Sequence, residues 1–428
     1  MTKSIIMRSQ IKNVLCAALV LVGLGLNAQD RKLDNYRPSD KAGINVFEAP
    51  KDTLSVFDGV KVRIGGSSTL QYQALDHSNS GAVALKDIGY NFNLATANLD
   101  LDVALFDGIR MHLRTYLSSR HHPEPYVKGG YFQIDKLDFI QEGFLENIMQ
   151  YVTIKVGHME NNYGDAHFRR TDNAQALYNP FVGNLIMDGF TTEVGGEVYF
   201  RKDGFISMLG IANGKLNQAV NKSNGSTGGA SFLAKLGYDK QANDDLRYRI
   251  MGSIYTTGYV PNAYLYSADR AGSRYYFVLE NEDATASGNF RSGRYDPGMR
   301  NQITAVMINP FVKYMGLEFF GTLEHTSGKA NTETSDRKAT QYAGELVYRF
   351  GKNENAYFGG RYNVVNNEEI SGDDIQISRF QLGAGWFLTK NILAKVEYVN
   401  QQYKDYPTTS IFNDGEFKGL MLEAVISF

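Results

Sequence analysis

Histidine and cysteine are the scarcest of the side chains that could carry chemistry, and their positions narrow what the chain can do. The seven histidines are His77, His112, His121, His122, His158, His167 and His325. Hydrolysis or acyl transfer needs a histidine base, a hydroxyl nucleophile and an orienting carboxylate held in one place. Only His112 falls well inside a regular segment, where it shares a face with Arg110 and Arg114. His121, His122, His158 and His167 fall near one level of the molecule and could form a surface metal site. No carboxylate accompanies them at ligand spacing, so solvated loop histidines are the simpler reading. Cys16 is the one cysteine and lies in an apolar N-terminal stretch. A mature chain without it has no disulfide, no zinc–thiolate site and no cysteine nucleophile. Glycine marks turns and kinks, and none sits in a strand–helix nucleotide-binding loop. The expectation is no catalytic residue, no metal and no cofactor.

The charged residues are more informative, because they recur at every second position. In Ile109–Leu117 the residues Arg110, His112, Arg114 and Tyr116 share one face, and Ile109, Met111, Leu113, Thr115 and Leu117 share the other. The same alternation places Lys61, Arg63, Arg110, Arg114, Lys155, Lys235, Arg247, Arg249, Arg349, Arg361, Arg379 and Lys395 on polar faces. Asp100, Asp102, Glu193, Glu197, Glu318, Glu345 and Glu397 join them. Turned into a water-filled bore, rings of Arg and Lys lower the barrier for anions, and carboxylates lower it for cations. The plainer alternative is that these charges pair across strands and only keep an interior wet.

One loop carries a second candidate set. Residues 161–188 read NNYGDAHFRRTDNAQALYNPFVGNLIMD, with Arg169 and Arg170 beside Asp165 and Asp172, then an apolar stretch from Phe181 to Met187. A loop folded back into a bore would form a constriction with an arginine in its eyelet. An exposed loop would instead pair those arginines with Asp165 and Asp172.

The elements that must position these residues are strands. Tyr numbers 27, Phe 25 and Gly 43, a composition suited to strands, tight turns and aromatic girdles. From about Asp58 onward, alternating segments of roughly 9–15 residues are separated by breaks that are alternately long and short, the pattern of a membrane barrel. Short breaks lie at Asp107-Gly108, Lys202–Gly204, Gln241–Asp245, Met315-Gly316, Lys352–Asn355 and Thr389–Asn391, with a longer one, suited to a helical turn, at Gln141–Gln150. Long breaks lie near 77–89, 120–128, 161–188, 214–228, 258–301, 326–338, 366–374 and 405–415. Eight long and seven short breaks separate sixteen strands, which predicts an all-β transmembrane antiparallel barrel over 58–428. A soluble sandwich also alternates, but its strands run about 5–6 residues.

The ends of the chain fit export to an outer membrane. Lys3, Arg8 and Lys12 precede an apolar run from Val14 to Leu26, which is shorter than the roughly 18 residues of a membrane helix. This predicts a signal peptide over 1–28, cleaved after Ala28. Residues 29–57 are polar, with Pro38 and Pro50, and fit either a periplasmic tail or a partial plug. The last segment alternates Leu420, Leu422, Ala424, Ile426 and Phe428 with Met421, Glu423, Val425 and Ser427, ending on an aromatic. Such an end resembles the signal read by the barrel-assembly machinery. A net charge of −2 gives no reason to expect nucleic acid.

Two motifs, IKVGHMENNYGDAHFRRTDN with NPFVGNLIMDGF and the upstream DKAGINVFEAPKD, resemble porins of Bacteroidetes outer membranes, themselves distantly similar to the phosphate-selective porin O and P family. The resemblance covers most of the chain after Asp34. It implies a sixteen-stranded barrel, often a homotrimer in outer-membrane lipid, that passes small polar or anionic solutes past its third loop. The dense lysine run of the phosphate-selective members is missing from that loop, which leaves a general anion preference. A pore-lining and constriction set follows: Arg169, Arg170, Asp165, Asp172, Arg110, Arg114, Lys155, Arg247, Arg249, Arg349, Arg361 and Arg379. The competing readings are a plugged accessory barrel in an envelope complex and, less favoured, a barrel hydrolase. The Tyr275-Tyr276-Phe277 run in the 258–301 loop suits sugar stacking, an upper girdle or short strands above the membrane.

Overall fold

The computed structural model describes residues 36–49, 51, 57–119, 126–216, 228–267 and 276–428. The expected signal segment with Cys16, together with Pro50, His121, His122 and Tyr275, lies outside the described residues.

Sixteen antiparallel strands close into one barrel, each paired with its neighbours in sequence. The first six are β1 (Lys61–Ser78), β2 (Asn91–Phe106), β3 (Ile109–Ser118), β4 (Tyr126–Ile134), β5 (Val152–Glu160) and β6 (Thr192–Lys202). Then come β7 (Phe205–Ala212), β8 (Ser231–Gln241), β9 (Leu246–Thr257), β10 (Gln302–Tyr314) and β11 (Leu317–Lys329). The last five are β12 (Arg337–Phe350), β13 (Ala356–Glu368), β14 (Asp374–Thr389), β15 (Ile392–Lys404) and β16 (Glu416–Ser427). Closure comes from β16 lying against β1, from Ser67 opposite Ser427 to Ser78 opposite Glu416. A closed cylinder leaves no sheet edge, so strand N–H and C=O groups pair with a neighbouring strand and need no water.

The alternation predicts the two faces. Leu382 and Trp386 on β14 point outward and are 50% and 57% exposed, while Gln381 between them is buried. Leu420, Leu422 and Ile426 face outward on β16, and Met421, Glu423 and Val425 face in. An apolar outer surface on all sides with a polar inner one is what a lipid environment selects. Two long breaks are shorter than expected, now 330–336 and 369–373. Thr326 and Asn367 there continue the ladder as buried inward positions opposite Ala339 and Ile375, so their polarity marks an inner face and no loop. The Gln141–Gln150 break contains one helical turn, Glu146–Met149. In the Lys202–Gly204 turn, Asp203 and Gly204 take φ of 52° and 90°, the left-handed pair a two-residue hairpin needs.

The bore is far from empty. The third long loop (161–191), part of the fifth (258–301) and the N-terminal segment 36–49 all lie inside it, and they account for most of the fully buried non-strand side chains. Val182, Ile186, Met187, Val278 and Leu279 form one apolar cluster with inward strand residues such as Met307, Val399 and Met421. Sixteen strands enclose more space than inward side chains can fill, so the loops complete the core.

Candidate functional site

The third loop is held to one wall by a simple device. Buried backbone N–H groups need acceptors, and inward Asn, Gln and Glu side chains supply them. Val182 N–H donates to Glu397 Oε2 at 2.7 Å, Ile186 N–H to Asn363 Oδ1 at 2.7 Å and Met187 N–H to Gln341 Oε1 at 2.9 Å. At the start of the loop, Gly164 N–H meets Ser253 Oγ at 2.8 Å and Asp165 N–H meets Asn309 Oδ1 at 2.7 Å. Lys395 Nζ donates to the carbonyls of Ala176, Asn179 and Phe181. The loop therefore docks mainly on β9–β15, while its Asn162 and Asp172 reach Glu197 on β6 and Lys128 on β4. The fifth loop packs beside it: Tyr276 OH bonds Glu397 Oε1 at 3.0 Å, and Tyr266 OH bonds Glu324 Oε1 at 2.6 Å. Burial beside Glu397 pushes the Tyr276 hydroxyl well above its ordinary value, so it stays a donor.

The N-terminal segment, a strap from Tyr36 to Ala49, crosses the bore at its short-turn end. Tyr36 OH donates to the carbonyl of Met111 at 2.9 Å, with that of Val103 at 3.2 Å, beside the Asp107-Gly108 turn. Lys41 N–H reaches the carbonyl of Lys390 at 2.9 Å, across the barrel. The strap then returns. Asn45 Nδ2 donates to Glu318 Oε1 at 2.6 Å, and Glu48 accepts from Arg249 at 2.8 Å and sits 3.1 Å from Lys235 Nζ. Burial alone would raise the Glu48 pKa, but Arg249, Lys235 and Arg201 outweigh it and hold the carboxyl well below its usual range.

Most of the expected pore-lining arginines are taken up by cross-strand carboxylates and by these two inserts. Arg249 grips Asp165 through two bonds of 2.7 and 2.8 Å, and Arg247 grips Asp239 at 2.9 and 2.7 Å. Arg349 pairs with Glu318 at 2.7 Å and Arg361 with Glu345 at 2.8 Å. Arg379 donates to Gln401 and to the carbonyl of Asn184, 2.6 Å each. In the loop itself, Arg169 is buried between Glu318 and Glu345, and Arg170 makes two bonds of 2.7 and 2.6 Å to Asp188. Neither lines the cavity on the β1–β6 wall, while Asp172 does.

Arg110, Arg114 and Lys155 are brought together elsewhere, on the β1–β6 wall. There, β1–β6 and the inner faces of loop and strap enclose a cavity of about 170 Å³, room for on the order of ten waters. Six basic side chains border it, Arg37, Arg63, Arg110, Arg114, Lys128 and Lys155, against Asp100, Asp102, Glu160 and Asp172. Even with His112 and His167 neutral, the described lining carries two more positive charges than negative. Sequence reading missed Arg37, which lies outside the strands, and Lys128, which was read as the end of the 120–128 break but faces inward on β4. The Tyr36 and Tyr178 rings were equally hidden, since nothing local marks a loop or tail as lining a bore.

His112 Nδ1 lies 2.7 Å from Asp102 Oδ1, half of a hydrolytic arrangement. Among the described residues no Ser or Thr hydroxyl bonds its other nitrogen, and no His, Cys, Asp and Glu cluster forms a metal site.

No protein-family model and no curated protein matches the chain. Solved structures share its fold. The anion-selective porin of Comamonas acidovorans superposes with a TM-score of 0.53 at 11% identity, over 86% of this chain and 100% of that one. Salmonella typhi OmpF in complex with daunomycin gives 0.51 at 12%, over 88% and 100%. OmpT, an outer-membrane protein of Vibrio cholerae, gives 0.51 at 11%, over 88% and 100%. The chain has the closed sixteen-strand barrel of outer-membrane porins.

Proposed function

We propose that the protein is an outer-membrane porin passing small polar solutes, with a preference for anions, along the β1–β6 wall. The observation that carries this reading is the asymmetric filling of the bore. The third loop docks mainly on the β8–β16 side, the strap crosses the bore at its short-turn end, and a net-positive cavity remains along β1–β6. The loop is the constriction, and Arg63, Arg110, Arg114, Lys128 and Lys155 are the wall that solutes pass. Such a wall lowers the entry barrier for anions. The porin fold of the matched structures and the resemblance to Bacteroidetes porins support the same reading, which includes no enzymatic activity. The exported precursor would lose residues 1–28 and be folded by the barrel-assembly machinery.

A second reading is favoured by the strap: a barrel so filled could be a plugged accessory of an envelope complex. Swelling of liposomes containing the purified protein, in sugars of graded size, decides between them. Swelling with small sugars supports the porin, and a silent barrel supports the accessory. Potassium chloride gradients across planar bilayers then test selectivity, with a reversal potential on the chloride side expected.

A further inference from the structure

We infer that the β1–β6 cavity contains a stationary site for a small multivalent oxyanion, seated by Arg37 of the strap, Arg110 of β3 and Lys155 of β5. This deepens the porin reading and rests on it for access to the cavity. Each carboxylate that borders the cavity already has a partner. Asp100 takes two bonds from Arg114, at 2.7 and 2.9 Å. Asp102 takes Arg63 and His112. Glu160 takes His167, and Asp172 takes Lys128 at 3.0 Å.

Three cations are left without a carboxylate at ion-pair distance among the described residues. Arg110 is 2% exposed, and only its Nη2 is used, donating to Gln133 Oε1 at 2.5 Å. Its Nε–H and Nη1–H have no acceptor among the described residues. The Tyr36 ring stacks on the guanidinium, 4.1 Å from centroid to Cζ. That contact covers a face, whereas the N–H donors lie in the guanidinium plane and stay available at its edge. Lys155 Nζ sits over the rings of Tyr131 and Tyr199, at 5.5 and 5.1 Å. Its cross-strand neighbour Glu197 is engaged by Tyr199 OH at 2.5 Å and Asn162 N–H at 3.1 Å. Arg37 donates to the carbonyls of Gly43 and Phe168, 2.9 Å each, and lies on the Tyr178 ring. Buried charge with no counter-charge is costly, and a bound anion removes that cost.

Register brings two of the three together. Arg110 and Lys155 both lie opposite Gln133, from its two sides. Their Cα atoms are therefore two strand spacings apart, roughly 10 Å, and both side chains point into the same cavity. Guanidinium edges offering paired N–H donors fit the oxygens of carboxylate, sulfate or phosphate groups better than a halide. Three cations favour a dianion or trianion over a monovalent one, and the cavity volume limits it to a few non-hydrogen atoms beyond the charged groups.

The test uses the full chain in planar bilayers carrying chloride current, with sulfate or succinate titrated on one side. Saturable reduction of the current is expected. Arg110→Gln with Lys155→Gln should raise the half-blocking concentration at least about tenfold, and Arg37→Gln by several fold, as each removes a charge-assisted contact. The exposed Lys338→Gln serves as control and should change nothing. Thermal unfolding in detergent supplies a second readout: sulfate should raise the melting temperature of the parent more than that of the double variant. Chloride current without block and without a thermal shift overturns the site and leaves the pore. A barrel without current that still gains the variant-sensitive shift keeps the site and removes the pore. Should the double variant not fold, Lys155→Gln alone decides by the same two readouts.

Discussion

Glu48, on the strap, and Arg249, on β9, meet at 2.8 Å, and Asp165 of the third loop is bound by the same guanidinium. One arginine thus ties together the barrel wall and both of its inserts. Lys235, 3.1 Å from Glu48 and 2.7 Å from Asp165, doubles the link.

Acid should loosen that link. The groups facing Glu48 are Arg249 and Lys235, with Arg201 further off and the carboxylates Asp165 and Asp239 on Arg249. The folded-state pKa of Glu48 is depressed, so its stabilising effect is fully present above the free carboxylate value near 4.3 and is lost as pH falls through the depressed value. Asp165, also held low by Lys235 and Arg249 against burial, moves in the same direction. Single-channel recordings from pH 7 down to 3 should show larger or noisier conductance below about pH 4. Glu48→Gln should show that behaviour already at pH 7; identical traces across the range would contradict strap anchoring by this carboxylate.

The strap can be dislodged sterically as well. A Cβ on Gly43 would stand 2.1 Å from the Pro38 carbonyl oxygen and 2.7 Å from the Tyr178 ring. The oxygen belongs to backbone and cannot yield like a flexible side chain. Gly43→Ala should therefore open the strap turn and raise conductance severalfold while leaving barrel melting unchanged, since no strand pairing depends on this residue. A melting temperature lowered along with the conductance would show the strap to be part of the folding core.

How far the sequence disclosed these features follows from the range of each interaction. The wall was readable because a period of two is local: Leu382 out and Gln381 in follow from neighbours alone. The inserts were not, because their partners are distant. Arg169 meets Glu345 across 176 residues and Asn45 meets Glu318 across 273. The pairing of Arg169 and Arg170 with nearby Asp165 and Asp172 was half legible: Arg170 lies 3.5 Å from Asp172 but donates its two strong bonds to Asp188. The polar composition of 36–49 fitted a tail and a plug equally, since inside this barrel a plug is bound by polar groups.

Arg170 and Asp188 should matter for loop docking more than for selectivity. Both are buried and doubly bonded, and removing one partner of such a pair costs about 3–5 kcal/mol. Asp188→Asn should make the third loop susceptible to protease under conditions where the parent resists. Arg170→Ala should do the same while the reversal potential in a potassium chloride gradient moves little. A large shift in reversal potential with an intact, resistant loop would place Arg170 in the permeation path instead.

Trp386 offers a direct measure of how the barrel sits in lipid. It is the one tryptophan in the chain, outward on β14 three residues before the strand ends at Thr389. Aromatic residues at that level form the girdle at the membrane interface. Its fluorescence should respond more strongly to lipids brominated near the glycerol than to those brominated near the chain ends. Leu382 lies four residues further into the strand on the same face, about 13 Å deeper along the chain direction before tilt. Leu382→Arg should therefore destabilise the barrel in lipid by about 2–4 kcal/mol, and Trp386→Arg by about 0–1 kcal/mol beyond the loss of the ring itself. Equal penalties at both positions, or quenching strongest with deep bromines, would put the membrane at a different height on the cylinder. The strap would then no longer lie at the water-facing end that its role as an inner closure requires.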